Sequence, residues 1–211
     1  VSDQPAAHSP YAEPAQQREA DLLGMYIFLV TEIMLFGGFL TAVYVVRVLH
    51  PEEASSAAKH LNLWLGSLNT AVLLTSSLAM ALAVQLSREG KFRATSAWLC
   101  LTVALGLVFL AIKSVEYYQE YAEGLMPLSD GMRPLSKPGE QLFFNFYLVG
   151  TGLHALHLTI GIILVSGLAW RVARSETPLP RRAVTVEIVG LYWHLVDVVW
   201  VFIYPIFYLA R

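Results

Sequence analysis

The stretch VTVEIVGLYWHLVDVVWVFIYPIFYL, residues 184–209, decides how the chain folds. It exceeds the ~20 residues with which a helix crosses ~30 Å of hydrocarbon, yet it carries Glu187, His194 and Asp197. Those three are offset by 7 and then 3 residues, so in a helix they fall within one arc of about 80°. One side is polar and the rest oily, the pattern of a membrane helix that turns its polar side toward other helices.

Four more apolar stretches precede it, at about 22–48, 63–86, 95–118 and 141–170. None alternates as a strand would, and in lipid a helix satisfies its own backbone polar groups. The expected fold is all-α, a bundle of five transmembrane helices in one domain over 22–211, after a flexible polar tail over 1–21. Composition agrees: of 211 residues 56% are hydrophobic and only 14% charged, against about 25% charged in soluble domains. A net charge of −2 leaves no basic footprint for nucleic acid. The single cysteine, Cys100, excludes an internal disulfide and a cysteine metal cluster. No phosphate loop, zinc-protease HExxH or GxSxG elbow is present.

Five spans put the termini on opposite sides. Arg88, Lys91 and Arg93 in one loop, and Arg171, Arg174, Arg181 and Arg182 in another, share a face with Arg18. Cytoplasmic loops hold the Lys and Arg excess, so the N-terminus is expected in the cytoplasm and the C-terminus outside. The four arginines after the fourth span are also candidate contacts for anionic lipid head groups. Trp64, Trp98, Trp170 and Tyr208 stand near span ends, as interfacial anchors do. Pro127, Pro134 and Pro138 mark a longer outer loop, and Pro178 and Pro180 the last inner one.

Counted from the span starts, Glu32, His154, His157, His194 and Asp197 reach one depth near mid-bilayer. A charge there costs at least ~2.5–3.5 kcal/mol, so such groups face the bundle interior and pair with one another. Glu32 is expected to be neutral or to share a proton with a histidine. His154, His157 and His194 are expected to tie the first, fourth and fifth spans together. Gly150 and Gly161 flank two of these histidines and would let a neighbouring backbone approach. Asn69 and Ser76 follow Gly66 as packing groups in the second span. Lys113 and Glu116 form an i, i+3 pair near the outer end of the third, where a lysine snorkels at little cost.

Blander and sharper readings compete. Polar groups between membrane helices are often packing glue, worth about 0.6 kcal/mol each. Three histidines also permit haem ligation, with His194 and either His154 or His157 as the axial pair. A dinuclear carboxylate site would need Glu-x-x-His on two helices, and none is present.

The motifs together resemble one family. EIVGLYWHLVDVVWVFIYPIFY (187–208) sets a Glu seven residues before YWHxVDxVW, supported by VTEIMLFGGF (30–39), GSLNTAVLLTSS (66–77), FLAIKSVEY (109–117) and TGLHALHLTIG (151–161). Over residues 22–209 the chain resembles subunit III of the haem–copper terminal oxidases, in a short five-helix bacterial form. The resemblance maps a membrane-buried carboxylate to Glu32, paired histidines to His154 and His157, and the C-terminal acid, imidazole and acid to Glu187, His194 and Asp197.

It implies an accessory subunit in a bacterial cytoplasmic membrane, with no catalytic residue and no metal of its own. The haem and copper would lie in partners, the catalytic subunit I and the copper-binding subunit II of a proton-pumping cytochrome c oxidase. This chain would steady subunit I near a proton uptake route, help sustain turnover and hold phospholipid, with a larger respiratory assembly as a further partner. Longer members have two further helices before the equivalent of the first span here, and usually glutamine where this chain has Lys113. The short form also serves quinol oxidases and nitric oxide reductase.

Overall fold

A computed structural model describes residues 14–126, 135, 137–174 and 183–209. Among them no strand occurs, and six helices follow in order: α1 Pro14–Leu49, α2 Pro51–Ala58, α3 Leu63–Arg88, α4 Phe92–Ala122, α5 Pro138–Ala173 and α6 Ala183–Tyr208. All but α2 are long and apolar enough to cross a membrane. Helices α1 and α5, of 36 residues each, measure about 54 Å and overrun the hydrocarbon.

The ends of these helices are written in local chemistry. Asn62 caps α3, its Oδ1 accepting from the backbone of Trp64 at 3.1 Å and Leu65 at 3.3 Å, which satisfies two otherwise orphaned donors. Pro138 opens α5 where a missing N–H costs nothing, and Glu140 accepts from the Lys137 N–H at 3.3 Å. After α3 and α4 the chain turns on Gly90 and Gly124, at φ 74° and 72°, a left-handed conformation that favours glycine. The next amides, of Lys91 and Leu125, close back on Leu86 and Glu120.

The largest departures from the sequence reading lie at the start of α1 and in the short α2. Residues 14–21, expected within the flexible tail, are helical, because Pro14 starts a run of the helix formers Ala, Gln, Arg and Glu; residues 1–13 lie outside the described residues. The short α2 was not foreseen, although Pro51 followed by Glu52 and Glu53 is a helix-start signal. Its Ala54, Ala57 and Ala58 are buried, and it packs on α5.

Helices α3 to α6 make the core, with α4 against α3 and α5, and α6 against α3 and α5. Trp193, Trp200, Phe109 and Tyr147 are fully enclosed there. Small residues admit the rings: a Cβ on Gly106 would stand 2.8 Å from Trp193, and one on Gly150 2.6 Å from Phe39. Gly150 and Gly161, expected to receive a neighbouring backbone, receive aromatic rings instead, Phe39 and Trp193. Helix α1 stands apart, resting on α5, α6 and α2, with Ile33, Met34, Val48 and Leu49 exposed. That apolar outer side suits lipid or a neighbouring subunit.

Trp64 and Trp170 are exposed, as anchors should be. Tyr208 is fully buried, so its role as an interfacial anchor is corrected: its hydroxyl has partners inside the bundle, described next.

Candidate functional site

Helix α1 meets α5 through a pair of ionisable groups. Glu32 Oε2 lies 3.0 Å from His157 Nε2, and His157 Nδ1 is 2.8 Å from the Leu153 carbonyl of its own preceding turn. That carbonyl can only accept, so Nδ1 carries a proton and Nε2 is left to face the carboxyl. Phe36 stacks edge-on to the imidazole at 5.1 Å. The pair opens on an apolar cavity of about 440 Å³ between α1, α5 and α6, shared with Phe28, Leu164 and Tyr192.

The other two histidines go elsewhere. His154 is fully buried between Phe109 and Trp200, at 5.5 and 5.2 Å between ring centroids, with neither nitrogen hydrogen-bonded among the described residues. His194 Nδ1 is 2.8 Å from Ser77 Oγ on α3. The expected three-histidine tie of the first, fourth and fifth spans is therefore replaced. His157 joins α1 to α5, His194 joins α6 to α3, and His154 fills the core. Helical periodicity gave each residue a face but not the helix opposite it.

The contact between α3 and α6 is a row of hydroxyls facing rings. Ser67 meets the Tyr204 hydroxyl at 2.7 Å, Trp200 Nε1 donates to Thr70 at 3.1 Å, and Trp193 Nε1 donates to Ser76 at 3.0 Å. Asp197 lies in the same row, beside Ser77, and is buried without a hydrogen bond to either oxygen among the described residues. Asn69 is likewise buried and unbonded. Each such bond between membrane helices contributes about 0.6 kcal/mol, up to ~1.7. A double-mutant cycle of Ser77→Ala with His194→Phe, read by unfolding in mixed SDS micelles, should give a coupling of about 0.6 kcal/mol.

Glu187, on the same arc, leaves that row at the end of α6. It takes Arg88 of α3 on Oε1 at 2.5 Å and Arg18 of α1 on Oε2 at 3.3 Å, one carboxylate fastening three helices. Of the four arginines considered for lipid, Arg171 lies exposed in the last turn of α5, and Arg174 lies 4.1 Å over the Trp170 ring. Arg181 and Arg182 lie outside the described residues.

Sequence reasoning found the Lys113–Glu116 pair, at 2.9 Å here, but missed the dense polar group built around it. Lys113 does not snorkel outward: it is 4% exposed, and its ammonium donates to Glu116 Oε2 at 2.9 Å, the Tyr147 hydroxyl at 2.9 Å and the Tyr208 hydroxyl at 2.7 Å. Tyr208 in turn donates to Glu116 Oε1 at 2.7 Å, and Tyr147 to Glu120 Oε1 at 2.6 Å. The signal was legible, since Lys113, Glu116 and Glu120 recur at i, i+3 and i+7 on one helical face.

Comparison with known proteins sets this geometry in a family. The profile of the family described as cytochrome c oxidase subunit III matches residues 15–210. This chain belongs to that family. A cytochrome c oxidase subunit 3 of Thermostichus vulcanus is 30% identical over 188 residues, covering 89% of this chain and 86% of its own length. One of Alkalihalophilus pseudofirmus is 31% identical over 187 residues, with 89% and 85% covered. A quinol oxidase subunit 3 of Bacillus spizizenii is 28% identical over 209 residues, with 96% and 93% covered. The chain is thus subunit III of a haem–copper oxidase, a multi-pass bacterial membrane protein of the respiratory chain.

Proposed function

We propose that this subunit III serves a proton-pumping oxidase that takes electrons from cytochrome c and reduces oxygen to water. It works there as a scaffold on subunit I, beside subunit II, without redox chemistry of its own. The observation that carries the scaffold role is the Glu32–His157 contact at 3.0 Å, because the two groups engage each other across a helix boundary as structural and proton-holding groups do; the cytochrome c donor is supported by relatives such as the one in Thermostichus vulcanus, a cytochrome c oxidase subunit 3. In the same reading the N-terminus is cytoplasmic and the C-terminus outside, because Arg88, Lys91 and Arg93 at one end of the bundle mark the cytoplasmic side. Arg171, Arg174, Arg181 and Arg182 then meet anionic lipid head groups at that surface.

A quinol donor is the second reading, favoured by the relative in Bacillus spizizenii, whose match covers 96% of this chain. The complex recovered through an affinity tag on this chain should show a haem absorption spectrum and consume oxygen with reduced cytochrome c. Oxygen uptake with quinol alone would move the assignment to the second reading.

Glu32 holds a proton, alone or shared with His157, in the resting complex. A hydrophobic carbodiimide, which reacts only with protonated carboxyls, should therefore modify Glu32 while the exposed carboxylates stay unlabelled. Mass spectrometry of the digested subunit checks it, and an unmodified Glu32 beside labelled exposed acids would refute the protonated state. 

A further inference from the structure

The polar group around Lys113 has one loose end, and it lies beside a cavity. An ammonium has three protons to donate, and Lys113 places them on Glu116 and on the Tyr147 and Tyr208 hydroxyls. Each tyrosine then donates its own proton to a carboxylate, Tyr208 to Glu116 and Tyr147 to Glu120. Both oxygens of Glu116 are thereby occupied. Glu120 has only Oε1 occupied: its Oε2 is buried with no hydrogen-bond partner among the described residues, in a side chain of a residue 3% exposed.

Glu120 lines a cavity of about 210 Å³ at the end of the bundle where α2 meets α3, together with Glu116, Gln119, Glu123, Lys59 and His60. That volume holds several waters. The charges facing Glu120 come from every side. Lys113, Glu116 and Tyr117 share α4 with it, Glu123 caps the C-terminal end of that helix, Tyr147 comes from α5, Tyr208 from α6, and Lys59 and His60 from the link between α2 and α3. Lys113 and Glu116 neutralise each other, so an ionised Glu120 would be a buried excess negative charge, the costliest condition for such a group.

We propose that Glu120 is a proton-binding site fed by water in this cavity, separate from the Glu32–His157 pair. A proton from hydronium in the cavity bonds to Oε2, water is released, and the lysine–tyrosine network keeps all its hydrogen bonds because Oε1 still accepts from Tyr147. The site does not depend on which electron donor the oxidase uses.

Infrared difference spectra of the purified oxidase complex in lipid nanodiscs, with both faces open to buffer taken from alkaline to acid pH, test it. A carboxylic acid C=O band should grow as the pH falls, shift in D2O because the proton exchanges with cavity water, and disappear in Glu120→Gln. Tyr147→Phe removes the donor to Oε1 without changing any charge, so the same band should remain and move to higher frequency. A full band in Glu120→Gln, or a band that ignores D2O, overturns the proposal. If Glu120→Gln is not recovered as folded protein, Tyr147→Phe decides alone: an unmoved band assigns the proton to another acid and overturns it equally.

Discussion

Lys113→Met should destabilise the bundle by about 3–5 kcal/mol, the largest loss expected of any single polar substitution in this chain. The ammonium sits 4% exposed, with Glu116 at 2.9 Å and two tyrosine hydroxyls on its remaining protons. Methionine fills nearly the same volume, so the loss isolates the charge and its hydrogen bonds. What remains is the carboxylate of Glu116, with Glu120 close behind it, and no buried Lys or Arg among the described residues. An uncompensated buried charge costs far more than the intact ion pair contributes. The double substitution Lys113→Met with Glu116→Gln should therefore recover most of the loss, because it removes both charges and keeps an acceptor for the Tyr208 hydroxyl. Reversible unfolding in mixed SDS micelles reads both values. A single-variant loss of only ~1 kcal/mol, the level of a solvent-exposed pair, would show that the lysine escapes to water after all.

Trp193→Ala should cost about 3 kcal/mol. In soluble cores a buried Trp truncated to Ala loses about 3–5 kcal/mol through transfer and cavity terms together. Here the lower end applies, because a helix waiting in lipid already keeps its indole out of water and the transfer term shrinks. The cavity term remains whole. Trp193 is fully enclosed, with its ring against the glycine faces of α4 at Gly106 and α5 at Gly161, and its N–H on Ser76 of α3. No single neighbour can close over the gap, since three helices hold its walls. Trp193→Phe keeps much of the ring and gives up the bond to Ser76, so it should lose about 1 kcal/mol. Equal losses in the two variants would contradict this division between packing and hydrogen bonding.

Both residues show what was and was not readable from the chain. Apart from the start of α1, at Pro14 and not near 22, the five apolar stretches gave the long helices to within about four residues, since hydrocarbon thickness imposes a minimum length that few other segments meet. Helical spacing gave the right faces: Glu187, His194 and Asp197 do lie along one side of α6. It did not give the partners, because a face points at whichever helix the bundle places there. Hence Glu32 found His157, while His194 went to Ser77 and Glu187 to two arginines. Lys113 was misplaced for a different reason. Near a span end, snorkelling and burial are both open to a lysine, and only the tyrosines from α5 and α6 decide between them. The hydroxyl row on α3 was in plain view in GSLNTAVLLTSS (66–77), but serine and threonine in a membrane helix bond their own preceding turn as readily as a neighbour. Thr75 does the first and Ser67 both.

The placement of α1 bears on how the molecule is made. Two of the three elements it rests on, α5 and α6, lie in the second half of the chain, and both its ionic fastenings, Glu32 to His157 and Arg18 to Glu187, reach residues translated far later. Helix α1 therefore leaves the ribosome well before the helices it docks on. Until α5 and α6 have been made it waits undocked from them in the bilayer, which the exposed apolar side with Ile33, Met34, Val48 and Leu49 allows.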